Sequence, residues 1–89
     1  MNEFDILIRN NKGLHARASA KLVETVEAFD SECEISKDGM TVSGNSIMGL
    51  LMLAASKGSY IKVKAWGNES LLLVDAIKSL INNHFEEGS

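Results

Sequence analysis

The sequence predicts an α+β fold, an antiparallel sheet with helices packed on one face. Three observations carry that prediction. Segments alternating apolar and polar residues are interleaved with segments of three- and four-residue apolar spacing, in the order strand, helix, strand, strand, helix, strand, helix. The two middle strands are joined by Asp38-Gly39, a pair suited to the positive φ angles of a two-residue turn, which makes them a tight antiparallel hairpin. The first and last helices are apolar on one side only, so they cover a sheet rather than sit inside a bundle.

In chain order, Phe4–Arg9 alternates as a first strand with Phe4, Ile6 and Ile8 on one side. Asn10-Asn11-Lys12-Gly13 is turn chemistry. The first helix is expected from Ala16 to Phe29, with Ala18, Leu22, Val26 and Phe29 as its buried stripe, widened by Val23. Lys21, Glu24 and Glu27 lie off the stripe and face water. Asp30-Ser31 breaks the pattern, and Glu32–Lys37 alternates again with Cys33 and Ile35 inward. The turn at Asp38-Gly39 then pairs Ile35 with Val42 on one face.

Ser46 is placed to cap a helix running from Ile47 to Ala55, its hydroxyl accepting from a free N–H of the first turn. Ile47, Leu50, Leu51 and Ala54 give that helix a buried stripe. Met48 and Met52 fall on another face, so the helix is apolar nearly all round. Full burial is difficult in 89 residues, and the second face is expected to be an exposed, Met-containing docking patch. Ser56-Lys57-Gly58-Ser59 turns the chain into a clean strand, Tyr60–Trp66, with Ile61, Val63 and Ala65 inward. A last helix is expected from Ser70 to Asn82, buried through Leu73, Val74, Ile77, Leu80 and Ile81. The tail His84–Ser89 reads as polar and is expected to fray, with His84 close to a helix C-terminus that mildly favours its cationic form.

The length fits one domain, residues 1–89. The chain opens with Asn2, Glu3 and Asp5 rather than with basic residues and an apolar run, and no apolar stretch approaches the ~20 residues of a membrane helix. A soluble, cytoplasmic protein without membrane insertion is therefore expected. The net charge of −3 argues against general affinity for nucleic acid, which needs clustered Lys and Arg. No Walker loop or GxGxxG stretch is present. Cys33 is the only cysteine, so no intrachain disulfide forms, and it reads as a small apolar strand residue. His15, His84 and Cys33 lack the short spacings of zinc ligands, so no metal is expected.

The chemistry concentrates in Gly13-Leu14-His15-Ala16-Arg17. Glycine frees the chain, and the run after His15 is the first turn of an amphipathic helix. There the backbone N–H groups are free and the helix dipole is positive, which suits a phosphate. Two readings of His15 remain open on these residues alone. It carries a phosphoryl group that Arg17 helps to hold, or it is a surface residue that precedes a helix.

Gly13-Leu14-His15-Ala16-Arg17, Leu22-Val23, Phe29, Asn45-Ser46-Ile47-Met48-Gly49-Leu50 and Lys57-Gly58 before a strand together resemble the histidine-containing phosphocarrier (HPr) family of the bacterial phosphotransferase system. The likeness spans nearly the whole chain. Asn45–Leu53 is also similar to the nitrogen-related branch of that family. The resemblance implies an open-faced β-sandwich, four antiparallel strands in the order 1-4-2-3 with three helices on one face. It implies a relay protein rather than an enzyme, needing no cofactor. His15 would accept phosphate through Nδ1 from phosphorylated enzyme I and pass it to an EIIA-type protein. Arg17 and the backbone N–H groups of Ala16, Arg17 and Ala18 would steady the charge.

The resemblance further implies that Ile47, Met48, Leu51 and Met52 dock the partners of what is expected to be a monomer. In some members Ser46 is phosphorylated by an HPr kinase, which would make regulation of partner binding, at His15 or Ser46, an alternative role. Serine is also an ordinary helix cap, and the two readings of Ser46 stand side by side. A second alternative, a small-molecule-binding α+β domain, leaves the Gly13–Arg17 motif unexplained. One departure stands out: the family usually has proline after the arginine, and this chain has Ala18.

Overall fold

The alternation of side chains across each strand dictates which face of the sheet the helices must cover, and the computed structural model, which describes residues 2–87, follows it. Its elements are β1 (Asn2–Leu7), α1 (Ala16–Glu27), β2 (Glu32–Lys37), β3 (Met40–Ser43), α2 (Ile47–Met52), β4 (Tyr60–Trp66) and α3 (Ser70–Asn82), followed by a short 3-10 turn at His84–Glu86. The sheet order is β1-β4-β2-β3, and every pairing is antiparallel. β1 therefore runs parallel to β2, and β3 parallel to β4, each pair separated by one strand. Parallel strands cannot be joined by a hairpin, so α1 and α2 supply the crossovers.

Register puts Phe4 opposite Val63, and Ile35 opposite both Val63 and Val42. Ile6, Ile8, Cys33, Ile35, Ile61, Val63 and Ala65 are buried with Leu22 and Val26 of α1 and Leu73, Ile77 and Ile81 of α3 in one core. The opposite face carries Asp5, Lys62 and Ser36 in one row, and Glu3, Lys64 and Glu34 in the next. Such solvated charge pairs contribute little stability. The hairpin turn uses left-handed angles at Asp38 (φ 51°) and Gly39 (φ 83°), as its sequence predicts. Cys33 is buried, and that burial, with the Glu34 charge beside it, pushes its thiol pKa up to about 11. It is an inert core residue.

Several expectations need correction. β1 starts and ends two residues before the expected strand, although Ile8 still bonds with the chain after the Lys57-Gly58 turn, donating to Ser59 O at 2.8 Å and accepting from Gly58 N at 2.8 Å. α1 ends at Glu27 and leaves Phe29 half-buried beyond it. α2 stops at Met52, because Ala54 takes a left-handed conformation (φ 50°) and turns the chain back. Its inward residues are Leu50, and Leu53 just past its end, while Ile47, Leu51 and Ala54 are exposed. In so short a helix the departing chain, not the helical period, decides which leucine reaches the core.

The expectation of a fraying tail is wrong for the residues described. Phe85 is fully buried in the core, although His84, Phe85 and Glu86 all have positive φ (53°, 53° and 65°). Left-handed angles cost a non-glycine residue roughly 1–2 kcal/mol each, and burying one phenylalanine offsets a good part of that. Lys21 Nζ also donates to Glu86 at 2.8 Å. His84 is half-buried and its Nδ1 is buried without a partner among the described residues, so it does not stand in solvent at a helix end. Gly88 and Ser89, part of the same expectation, lie outside the described residues.

Candidate functional site

The loop between β1 and α1 is held by its smallest and its most polar members. Gly13 has φ +64°, and a Cβ there would lie 2.4 Å from the carbonyl oxygen of Ala55, so only glycine fits without displacing the chain. Leu14 is buried, and its N–H donates to that same Ala55 oxygen at 2.8 Å, tying the loop to the exit of α2. Asn10 is fully buried; its Nδ2 donates to Gly13 O at 2.8 Å, while its Oδ1 has no partner among the described residues.

This loop delivers His15 to the N-cap of α1 with extended backbone angles (φ −80°, ψ −176°) and no side-chain cap. The His15 carbonyl accepts from Ser19 N at 2.8 Å, and the N–H groups of Ala16, Arg17 and Ala18 have no acceptor among the described residues. Three unpaired donors at a helix N-terminus, beside an imidazole, form a corner whose polarity suits an anion. Arg17 is exposed and makes no hydrogen bond or ion pair among the described residues, so its guanidinium is available to an incoming oxyanion. Ala18 is fully buried, its methyl group in the core below the corner.

His15 Nε2 meets Glu87 Oε2, and the two side chains are 26% and 12% exposed. The other Glu87 oxygen accepts from Asn10 Nδ2 at 3.0 Å. Partial burial pushes the Glu87 carboxyl up, but the hydrogen bonds from Asn10 and His15, with the charges of His15 and Lys12, bring it below its ordinary pKa. His15 Nδ1 has no partner among the described residues. The ring opens on a shallow groove shared with Lys12, Leu14, Leu51, Ala54, Ala55 and Ser56. Arg17 lines a second groove with Asn11, Lys12 and Glu87.

The residues singled out by sequence therefore form two groups. His15, Ala16, Arg17 and Ala18 meet at one corner. Ile47 (40% exposed), Met48 (71%), Leu51 (37%) and Met52 (63%) form an apolar face on α2 that Leu51 joins to the His15 groove. Ser46 sits at the far end of α2, where its Oγ accepts from Gly49 N at 3.0 Å as a helix cap. Sequence reasoning missed Asn10, taken as turn chemistry, and Glu87, assigned to a fraying tail. The signal for the second was Phe85, a lone aromatic residue that a solvated tail has no use for. Among the described residues no helix is long and apolar enough to cross a membrane, and no cluster of His, Cys, Asp or Glu could hold a metal ion.

Fold and corner together define a small open-faced sandwich that presents one histidine at a helix N-terminus. The family model described as the PTS HPr component phosphorylation site matches residues 2–83. A phosphocarrier protein HPr from Neisseria meningitidis (strain DSM 15465 / Z2491) is 46% identical over 83 residues, 93% of each chain. One from Xylella fastidiosa (strain 9a5c) is 41% identical over 87 residues, 98% of each. Among solved structures, HPr-C-His from Thermoanaerobacter tengcongensis superposes with a TM-score of 0.93 at 38% identity, covering 98% of both chains. The phosphocarrier protein HPr from Bacillus anthracis gives 0.86 at 30% identity, covering 90% of this chain and 95% of that one. The chain belongs to the HPr phosphocarrier family of the phosphotransferase system.

Proposed function

We propose that this protein is a cytoplasmic phosphoryl relay in which His15 accepts phosphate from phosphorylated enzyme I and delivers it to a histidine of an EIIA-type acceptor. The observation that carries this reading is the His15 corner itself. Nδ1 is unpartnered, three backbone donors and a free Arg17 guanidinium lie beside it, and Nε2 is engaged elsewhere. A neutral imidazole is a competent nucleophile near neutral pH. Phosphoryl transfer needs in-line placement and charge stabilisation more than covalent assistance. The donors and Arg17 offer the second; the partner enzyme supplies the first. The shallow groove suits a group that must be handed from protein to protein, and no turnover chemistry is assigned to the chain itself.

The test is passage of label. Phosphoenolpyruvate labelled in its phosphoryl group, enzyme I and this protein are incubated together, and an EIIA-type acceptor is then added. Movement of label from the chain to the acceptor supports the relay; label that enters the chain and never leaves it overturns it.

The exposed face of α2 is the proposed docking surface for both partners, because it continues into the groove that holds the ring. Met48 is 71% exposed, so Met48→Glu leaves stability within about 0.5 kcal/mol, as surface substitutions generally do. The charge must then be desolvated at every encounter, which slows transfer by about tenfold or more. Stopped-flow transfer rates beside a thermal melt separate the two effects, and an unchanged rate would remove α2 from the interface.

Ala18 lies in the first turn of α1, where proline is also tolerated, and its N–H is one of the three free donors. Ala18→Pro removes that donor and is expected to change the lifetime of phospho-His15 by about two- to tenfold, the worth of one charge-assisted hydrogen bond in a solvated site. Equal hydrolysis rates in the two proteins would show that the Ala18 N–H does not touch the phosphoryl group. The regulatory role implied for Ser46 gains no support of its own, since its hydroxyl is already engaged by Gly49 N–H.

A further inference from the structure

We infer that Asn10 and Glu87 are positioning residues that fix the tautomer of His15, keeping the proton on Nε2 and the lone pair on Nδ1. The inference rests on the relay reading above for its consequence, but its structural content stands on the chain alone. The hydrogen-bond chain begins at a backbone atom whose polarity cannot change. The carbonyl of Gly13 only accepts, so the Asn10 amide must turn Nδ2 towards it, at 2.8 Å. The second proton of that NH₂ group then points at Glu87 Oε1, at 3.0 Å. The carboxylate accepts there with one oxygen and presents the other to His15 Nε2. A carboxylate only accepts, so Nε2 must carry the ring proton. Polarity is thus set at Gly13 O and transmitted through two side chains to Nδ1.

The supporting frame is as fixed as the relay. Asn10 is fully buried, and Phe85, two residues before Glu87, is fully buried in the core. The same arrangement serves the transfer step. The Nδ1 lone pair forms a bond to phosphorus as the bond from phosphorus to the donor's nitrogen breaks, and the donor nitrogen keeps that electron pair. The His15 ring retains its Nε2 proton and gains a positive charge, which faces the Glu87 carboxylate. When the phosphoryl group leaves for the acceptor, its bonding pair returns to Nδ1 and the ring is neutral again. No proton moves in either direction.

Two substitutions of Glu87 separate this role from simple bracing. In Glu87→Gln the side chain keeps its shape, but Asn10 Nδ2 still demands an acceptor. The new amide must give its oxygen to Asn10 and turn its NH₂ group to His15. A donor facing Nε2 drives the ring proton to Nδ1 and withdraws the nucleophilic lone pair. In Glu87→Ala, water replaces the carboxylate and imposes no tautomer. A bracing role predicts that alanine is the more damaging change; tautomer control predicts that glutamine is. Ring nitrogen chemical shifts of ¹⁵N-labelled protein, followed across a pH series to the plateau of the neutral ring, read the tautomer directly. The expected result is Nε2–H in the parent protein, Nδ1–H in Glu87→Gln and a mixture in Glu87→Ala. Phosphoryl uptake from phosphorylated enzyme I is then slowed roughly 10- to 100-fold by glutamine and less by alanine, a smaller loss than a wrong tautomer causes in a buried triad. An unchanged tautomer in Glu87→Gln, or a larger loss with alanine than with glutamine, would overturn the assignment. The spectra need no phosphorylation, so a failure of the relay itself shows separately, as a parent protein that takes up no label.

Discussion

His15→Ala takes up no phosphoryl group from enzyme I and phosphoenolpyruvate, while the parent protein takes up one that is lost in acid. The expectation follows from the chemistry of the corner, where His15 is the proposed nucleophile and Arg17 and the backbone N–H groups can only stabilise charge. Intact mass before and after mild acid checks it. A phosphoramidate is acid-labile and a serine ester is not, so the same measurement distinguishes His15 from Ser46. The substitution is mild for the fold. The side chain is 26% exposed, and Glu87 keeps its hydrogen bond from Asn10, so stability falls by about 1 kcal/mol or less. A folded variant that still gains the acid-labile group would place the acceptor elsewhere, with His84 the remaining histidine.

The largest expected change in stability comes from Phe85→Ala. Phe85 is fully buried among core residues, and truncating a phenylalanine in such a place costs roughly 3–5 kcal/mol in transfer free energy and cavity formation. In a chain of this size each kcal/mol moves the melting temperature by about 4–8 °C, so the midpoint falls by more than about 10 °C. The residue keeps its left-handed backbone (φ 53°), so the substitution removes the packing that offsets the strain without relieving the strain. Thermal and denaturant unfolding of both proteins measure the difference. A melting midpoint within a degree of the parent's would mean that the segment after α3 is frayed, as its polar composition had implied.

What the sequence disclosed and what it hid differ by the range of the interactions involved. The hairpin was legible because Asp38-Gly39 and the alternation of Glu32–Lys37 both point to the same register, the observed pairing of Ile35 with Val42. α3 was legible to its end residues because thirteen residues carry a sustained apolar period. The six residues of α2 hold under two turns of helix, too few for periodicity to choose among three leucine and isoleucine positions, and the expected stripe failed there. The corner at His15 was legible because Gly13, His15 and Arg17 are contiguous. Its remaining members were not, since Glu87 reaches His15 across 72 residues of sequence. No local pattern marks such a partner. Phe85 breaks no period because it belongs to none, and only the polar company it keeps makes it conspicuous.

Gly13 has a wider meaning than the shape of one loop. Its vacant Cβ position lies 2.4 Å from the Ala55 carbonyl, which also receives the Leu14 N–H. The His15 ring and the apolar face of α2 are therefore registered to each other through the absence of a single methyl group. Any other residue at position 13 would wedge the two surfaces apart. A partner docked on α2 as proposed would then meet the imidazole out of line, with every residue of both surfaces intact. The gauge that sets the reach of the imidazole is the one side chain that is not there.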